Sequence, residues 1–594
     1  GVNWKRQRFQ PWAFVEGSSD EGRSFRLSLK VLTRAVRSPG TRTIPSAVQR
    51  AQDRPANQDP EVFWRLKEEE GFSAASGAYP ELGPIRIHGR VQPMRTVRIG
   101  LNPTRFSSTG DVLVEFDTST QQRHVHITLT ATGPFVVAEL LSDGVREARA
   151  SFASGDLSCG GATIPLILGR AGEEFRFRGT SAGIMVDGPE GVSLGPITNS
   201  ICVFPMLPMS RDFLVVTSIR RRNLNRVGNP LEPPCYRGVL EIRRALSPIT
   251  NLAVPVPKPP ATRAGGHEGH LDAAATRDHL RLINIVDVEE YLQGVITNEM
   301  PASFHPEALR AQAIVARTYV LANRGRFAAR GFDLEDSTLS QVYRGVLSEH
   351  PNGTAAVQGT RGLVVVWDGE LVPTFYSSSM GGHTESIEWI FNAPAEELPG
   401  LNAHPALRAV HDADFPVPVE LTSEEGAFVF YSRSWDHFDS PSRSGNPRYR
   451  WVANRSVAFI AERLLRLYGI SIGPITALIP LLRSPSGRIA RLQIVGERGG
   501  VVLQGWRSLR DFFQLFNSPS AIVSRVEADG TMSFDLYGGG WGHNIGMSQY
   551  GAHGRGRSGQ TFREILAAYY TGAEVVSLEV EALGRLDRAI RPER

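Results

Sequence analysis

Apolar residues along this chain follow two periods. Between Val97 and Ile242 they alternate in short runs, VRIGL, DVLVEFD, RHVHITLTA and PFVVAEL, separated by Gly and Asp turns. That pattern predicts a series of β-strands. From Asn284 the period lengthens. Val288, Tyr291, Leu292, Val295 and Ile296 recur at i, i+3, i+4, i+7 and i+8, the single apolar stripe of an amphipathic helix. Asp287 stands at its N-cap, and Glu289 and Glu290 fall in its first turn. Pro301 disfavours helical geometry at Met300, so the helix should end there with Glu299 at its negative pole. A second helix is expected from about Ser303, with Pro306 and Glu307 in its first turn. Its Ala308, Leu309, Ala311, Ala313, Ile314, Val315 and Ala316 leave almost no polar face. Gln312 and Arg317 must then find partners, because unpaired buried polar groups are costly.

Downstream, Asp336 to Gly345 reads as a loop carrying Gln341 and Tyr343. Leu363 to Trp367, the turn Asp368-Gly369 and Glu370 to Tyr376 read as a hairpin. It runs into SSSMGGHTES, where small residues permit close backbone approach to a ligand or simply form a flexible turn. Residues 396 to 450 show no clear period. A helix follows at Val457 to Tyr468 with Ser456 as N-cap, then strands at Arg488 to Val495 and Val501 to Leu503, and a short helix at Ser508 to Phe516. Tyr537 to Ala552, YGGGWGHNIGMSQYGA, is Gly-rich but lacks the Gly-Lys-Ser/Thr ending of a P-loop and the spacing of a dinucleotide fingerprint. It fits a strand exit presenting His543, Gln549 and Tyr550. Thr561 to Glu564 forms a capping box, and Gly572 closes the last helix.

These elements predict an α+β fold, a β-rich N-terminal part joined to a mixed α/β region. The expected divisions are a basic, weakly ordered segment at 1–83, a β-rich region at 84–245, a Pro/Gly-rich insertion at 246–279, a core at 280–575 and a tail at 576–594. One short helix is expected near Pro60 to Glu70.

At 594 residues the chain can hold several cores, and its net charge of +4 is mild. The excess sits at the front, where residues 1–56 hold eleven Lys or Arg against four Asp or Glu. Such a segment suits a polyanionic partner without choosing one. No apolar run approaches the roughly 18 residues of a membrane span. Cys159, Cys202 and Cys235 form no CxxC pair, so a zinc ribbon is not expected. His267-Glu268-Gly269-His270 is one residue short of the i, i+4 spacing that a helical metal site needs.

Glu299 is the candidate for chemistry. A carboxyl at a negative helix pole, beside Met300 and Phe304, should be hard to ionise. A carboxyl protonated near neutral pH is what general-acid catalysis needs. On the residues alone, a solvated Glu in a last turn stays open as the alternative.

In order along the chain, VRIGL, YRGVLEI, VEEYLQGVITNEMP, EALRAQAIVARTYV, SQVYRG, Thr374 to Glu385, SGRIARLQIVG and GWGHNIGMSQYGA with its YYTG ending resemble the stage II sporulation protein D family, also called the amidase-enhancer (SpoIID/LytB) family. The resemblance spans roughly residues 97 to 575. It implies an exported protein, periplasmic or associated with the cell wall, built around a substrate groove and acting on peptidoglycan glycan strands. The reaction implied is that of a lytic transglycosylase, leaving 1,6-anhydro-MurNAc ends. The alternative is a wall-binding enhancer of an amidase, with that amidase as partner. No nucleic-acid partner is implied. Glu299 matches the family's catalytic glutamate. Arg317, Gln341, Tyr343, Ser378, His383, Glu385, His543, Gln549 and Tyr550 are carried over as residues that line the groove or brace Glu299. Some members bind zinc through a His before the Ser-rich turn and nearby cysteines. Tyr376 and Ser377 stand there in this chain, so neither a metal nor another cofactor is expected. Asn544 replaces the Gly usual after His543.

Overall fold

Seven strands form the sheet that carries the helices, in the order Leu334–Glu335, Thr96–Gly100, Leu280–Asp287, Val239–Arg244, Ile201–Pro205, Phe135–Leu140 and Thr163–Gly169. The computed structural model describes residues 96–101, 126–140, 163–198, 200–206, 212–222, 230–244, 280–391 and 403–578, with the backbone of four more strands at Trp12–Ser18, Ser24–Lys30, Phe106–Thr109 and Val112–Glu115. Within 1–83, expected to be weakly ordered, one antiparallel pair is therefore described, Trp12–Ser18 against Ser24–Lys30. The helix expected near Pro60, the 246–279 insertion with its His267 to His270 motif, and Cys159 lie outside the described residues.

The strand Leu280–Asp287 pairs with Val239–Arg244 on one side and Thr96–Gly100 on the other. Arg244 stands opposite Leu280, so the two flanks of the insertion meet as neighbours in one antiparallel ladder. A second, six-stranded sheet runs Ser193–Ile197, Ile184–Asp187, Phe175–Gly179, His126–Ala131, Leu214–Val216 and Cys235–Tyr236. Ile127, Leu129, Phe175, Phe177, Val186 and Leu214 from this sheet share one buried core with Val97, Ile99, Ile201, Leu240 and Leu282 from the first. The β-rich half and the helical half are thus built on the same core.

Nine α-helices occur among the described residues: α1 (Val288–Glu299), α2 (Pro306–Ala322), α3 (Pro351–Gln358), α4 (Glu424–Ser432), α5 (Pro441–Ser444), α6 (Val457–Tyr468), α7 (Trp506–Phe513), α8 (Gln549–Arg557) and α9 (Phe562–Tyr569). The fold is α+β. Strand Leu280–Asp287 passes straight into α1. The Asp287 carboxylate accepts from the backbone N–H of Glu289 at 2.8 Å and of Glu290 at 3.3 Å. Met300 is extended (φ −130°, ψ 133°), so Pro301 ends the helix as its sterics require. α2 begins at Pro306, just after the expected start near Ser303, and its N-cap is His305, whose Nδ1 accepts from Glu307 N–H at 3.3 Å. Every residue of α2 from Ala311 to Ala322 is buried, as the missing polar face predicts.

The hairpin forms with Asp368 and Gly369 both at positive φ (49° and 77°), the twist that a two-residue connection favours. Its second strand is short, Glu370–Leu371, and Tyr376–Ser377 leaves it to pair in parallel with Met547–Ser548. Residues 457–536 close a separate core of Ile460, Leu464, Leu492, Ile494, Leu509, Phe512, Phe513, Phe534 and Leu536. It is spanned by Trp451–Ser456 pairing with Met532–Gly538 and by the sheet Ile475–Arg483, Ile489–Gly496, Gly499–Gln504.

Candidate functional site

Glu299 ends α1 with its backbone still helical and its side chain turned into protein. The residue keeps some accessible surface while its carboxyl is enclosed. Burial pushes its pKa up to about 7 from an ordinary value of 4.5, and the backbone N–H of Val342, donating to Oε1 at 2.6 Å, pulls the other way. Among the described residues no Lys, Arg or His forms an ion pair with it. The hydroxyls of Tyr291, Tyr319 and Tyr376 are raised first by their own burial, and the Glu299 carboxylate is a further cause at each. Three phenols, from α1, α2 and the strand after the hairpin, thus lie within electrostatic reach of one acid.

Gln341 fixes part of this cage. It is fully buried, its Oε1 accepts from Tyr291 Oη at 3.3 Å, and its Nε2 donates to Tyr376 Oη at 3.1 Å and to the Ala316 carbonyl at 3.4 Å. Tyr343 sits in the core between Tyr291 and Tyr236, donating to Asn284 Oδ1 at 2.9 Å. It anchors the loop from which Val342 reaches Glu299.

Arg317 is placed elsewhere. Its guanidinium grips Glu289 through Nε (2.7 Å) and Nη2 (2.6 Å) and donates to the carbonyls of Leu363 and Val357. It ties α2 to α1 and the hairpin, and shows no contact with Glu299. Gln312 is buried with its Oε1 accepting from Gln549 Nε2 at 3.3 Å, and its own Nε2 makes no hydrogen bond. Tyr550, next to Gln549 at the start of α8, meets Phe304 edge-on with centroids 5.0 Å apart and donates its backbone N–H to Ser378 O at 3.1 Å. The residues after Glu299 and the Gly-rich block are therefore packed together, a pairing completed by His553, which stacks on Phe304 and accepts from His305 N–H at 2.9 Å.

Glu385 has a different setting. It is fully buried, and Ser484 and Ser486 hydroxyls and the Ser386 N–H all donate to its carboxylate. Burial raises its pKa, while the nearby Arg488 charge and these donors oppose that rise. His383 donates from Nδ1 to its neighbour's carbonyl, Thr384 O, at 2.8 Å, and burial pushes it down to about 3. His543 Nδ1 accepts from Ile545 N–H at 3.0 Å, with Ser377 Oγ 3.1 Å away, and burial pushes it down to about 4. Both imidazoles are neutral at pH 7.

A cleft lies between the two cores, lined by Glu385, Trp389, Arg488, Trp506, Asn517 and His543 among others. Glu299 does not line it. The expected groove with Glu299 on its floor is not what this cleft provides, because Tyr376 and Ser377 point to opposite sides of one short strand, the first toward Gln341 and the second toward His543. The carried-over residues divide accordingly. Gln341 stands at the Glu299 cage, while His543 and Glu385 stand at the cleft. Sequence reasoning missed Tyr291, Tyr319 and Tyr376 as neighbours of the acid. Tyrosines set inside otherwise apolar stripes were the available signal. Among the described residues no group of three or more His, Cys, Asp or Glu could hold a metal ion, and Cys235 is a free thiol. No described helix is long and apolar enough to cross a membrane.

Comparison with known proteins gives two matches to family models. Residues 276–367 match the Stage II sporulation protein family (SpoIID), and residues 396–546 match a domain of unknown function, DUF8618. Stage II sporulation protein D of Bacillus amyloliquefaciens is 27% identical over 307 residues, 49% of this chain and 74% of that protein. The protein named Amidase enhancer from Bacillus subtilis (strain 168) is 29% identical over 305 residues, 48% of this chain but only 40% of that longer protein. An uncharacterized protein of Brachyspira hyodysenteriae is 27% identical over 303 residues, 50% of this chain and 69% of its own length. The SpoIID match begins just before Leu280–Asp287 and ends at Trp367, so it holds α1, α2, Glu299 and the first strand of the hairpin.

Proposed function

We propose that this chain, which carries a SpoIID region, is a lytic transglycosylase of peptidoglycan that works outside the cell membrane with Glu299 as its single acid and base. The observation that carries this reading is the unpaired, enclosed carboxyl of Glu299, whose pKa of about 7 leaves it protonated in about half of molecules at neutral pH. In the first step its proton goes to the glycosidic oxygen between N-acetylmuramic acid and N-acetylglucosamine as the C1–O bond breaks. In the second, the resulting carboxylate takes the proton of the muramic acid C6 hydroxyl while O6 bonds to C1. The 1,6-anhydro ring closes and Glu299 is protonated again. No water is consumed, so one carboxyl suffices where hydrolases use two. The Val342 N–H holds the carboxylate between the two steps without neutralising it, as a cation would.

The likeness to a protein named Amidase enhancer supports a second reading, in which the chain binds the wall and an amidase and performs no chemistry. The two are separated by incubating the purified chain with glycan strands stripped of stem peptides and analysing the products by mass. Anhydro-ended fragments support the transglycosylase. Strong wall binding without such products supports the enhancer.

A further inference from the structure

Two of the three phenols near Glu299 hold a hydrogen that they do not spend. Tyr291 uses its hydroxyl hydrogen on Gln341 Oε1. Tyr376 and Tyr319 only accept, the first from Gln341 Nε2 at 3.1 Å and the second from Arg326 Nη1 at 3.0 Å, and neither hydroxyl donates to any described residue. The two donors differ in kind. Gln341 offers a neutral amide, whereas Arg326 offers a guanidinium, and a hydrogen bond from an ionised donor is roughly twice as strong. Such a bond draws charge from the phenol oxygen and makes the phenol's own hydrogen a better donor.

The chain places Arg326 there by turning back at the end of α2. Asn323 caps the helix, and its side chain donates to the Tyr319 carbonyl at 3.0 Å. Gly325, at φ 75°, reverses the backbone, and its N–H donates to Asp333 Oδ1 at 3.0 Å. Arg326 thus returns along the last turn to Tyr319, seven positions back. Tyr319 is only 5% exposed and meets Phe375 edge-on, while Arg326 lies at the surface. Glu335 is within electrostatic reach of Arg326, but its carboxylate is taken by Arg330 at 2.6 Å.

Tyr319 therefore stands between a cation and an acid. Its burial raises the phenol's pKa, the Arg326 charge lowers it and the Glu299 carboxylate raises it again. With a guanidinium N–H on one side of Oη, the hydroxyl hydrogen must point away from Arg326. The groups facing Glu299 are the Val342 N–H, Tyr291, Tyr319 and Tyr376. Beyond Tyr291 lies Asp336, which is paired with Arg221. Arg326 is thus the cation that reaches toward Glu299 through one of its phenols.

We propose that Arg326 is a positioning residue for the reaction: its guanidinium turns the Tyr319 hydroxyl so that the phenol's hydrogen faces Glu299 and steadies the carboxylate left once the proton has gone to the glycosidic oxygen. The inference rests on the transglycosylase reading and deepens it.

The titration midpoint of Glu299 is read directly, from the infrared band of the protonated acid in the full chain after subtraction of the Glu299→Gln chain, so no cleavage is needed. Tyr319→Phe should raise the midpoint by about one pH unit, because the charged form loses a donor. Arg326→Gln should raise it by roughly half a pH unit, and Arg326→Lys by less. In the Tyr319→Phe chain, Arg326→Gln should add nothing, since an effect carried by a shared partner is not additive. A midpoint that Arg326→Gln leaves unmoved or lowers, or an equal rise with the phenol already removed, would overturn the proposal. Arg326 is exposed, so its replacement leaves the core intact. In cleavage assays the alkaline limb of kcat should move up with the midpoint while KM stays. A failure of the unsubstituted chain to cleave strands would sink the transglycosylase instead, and the infrared midpoints would still decide whether Arg326 acts on Glu299 through Tyr319.

Discussion

Two glutamates in this molecule have enclosed carboxyls and are finished in opposite ways. Glu385 sits in a bed of donors, with Ser484, Ser486 and the Ser386 N–H on its oxygens and the Arg488 charge nearby. Glu299 has one backbone N–H and three phenol rings. The first is a carboxylate whose desolvation is largely compensated, so it holds two parts of the chain together. The second is a carboxyl whose desolvation is left standing, so it keeps a proton to give. Burial alone does not make an acid catalyst. What matters is whether the neighbours favour its charged form.

Substitutions test that contrast. The largest expected effect is on rate. Glu299→Gln should lower the release of anhydro products by about two to four orders of magnitude, measured by single-turnover mass analysis. Glu385→Ala should act on stability, costing about 3–5 kcal/mol in urea unfolding, because it leaves the buried Ser484 and Ser486 hydroxyls without their acceptor and removes the negative charge near Arg488. If Glu385→Ala folds normally and loses activity as Glu299→Gln does, the assignment of roles is reversed.

The pH dependence sharpens the same difference. Glu299 has a folded-state pKa of about 7 against an ordinary 4.5. A raised carboxyl favours the native state below the unfolded value, and that favour is lost as pH rises through about 7. Unsubstituted chain should therefore lose ground to Glu299→Gln between pH 4.5 and 7, reaching a gap on the order of 3 kcal/mol at pH 8. Thermal unfolding at pH 5 and pH 8 checks the sign. A gap that shrinks with pH would mean the carboxyl is stabilised when charged. Cleavage, in parallel, should fall about tenfold per pH unit above 7. The smallest effect is expected at the cage wall. Tyr376→Phe removes the hydroxyl that accepts from Gln341 and should cost about 1 kcal/mol by denaturant titration.

Much of the acid's immediate setting was legible in sequence because it is local. The Asp287 cap, the break at Pro301, the Asp368-Gly369 turn and the Thr561 capping box each depend on residues a few positions apart. The tyrosine cage was not legible, since Tyr291, Tyr319 and Tyr376 come together only when α1, α2 and a returning strand pack. Arg317 shows the converse. Its need for a partner was plain, but only the fold chooses Glu289 twenty-eight positions away. The second core was missed for a related reason. Trp451–Ser456 and Met532–Gly538 pair across eighty residues, and α4 with α5 fall in a stretch whose pattern shows no period. Length of separation, more than weakness of propensity, set what could be read.

The absence of any loop between Leu280–Asp287 and α1 has a mechanical result. Twelve helical residues make a rod of about 18 Å with the Glu299 carboxyl at its tip and the large sheet as its mounting. No compliant joint separates the two, so the backbone that bears the carboxyl moves only with the sheet. Under the proposed transglycosylase reading, strands would have to be brought to it, and motion during turnover would belong to the parts that face Glu299 rather than to the arm that bears it.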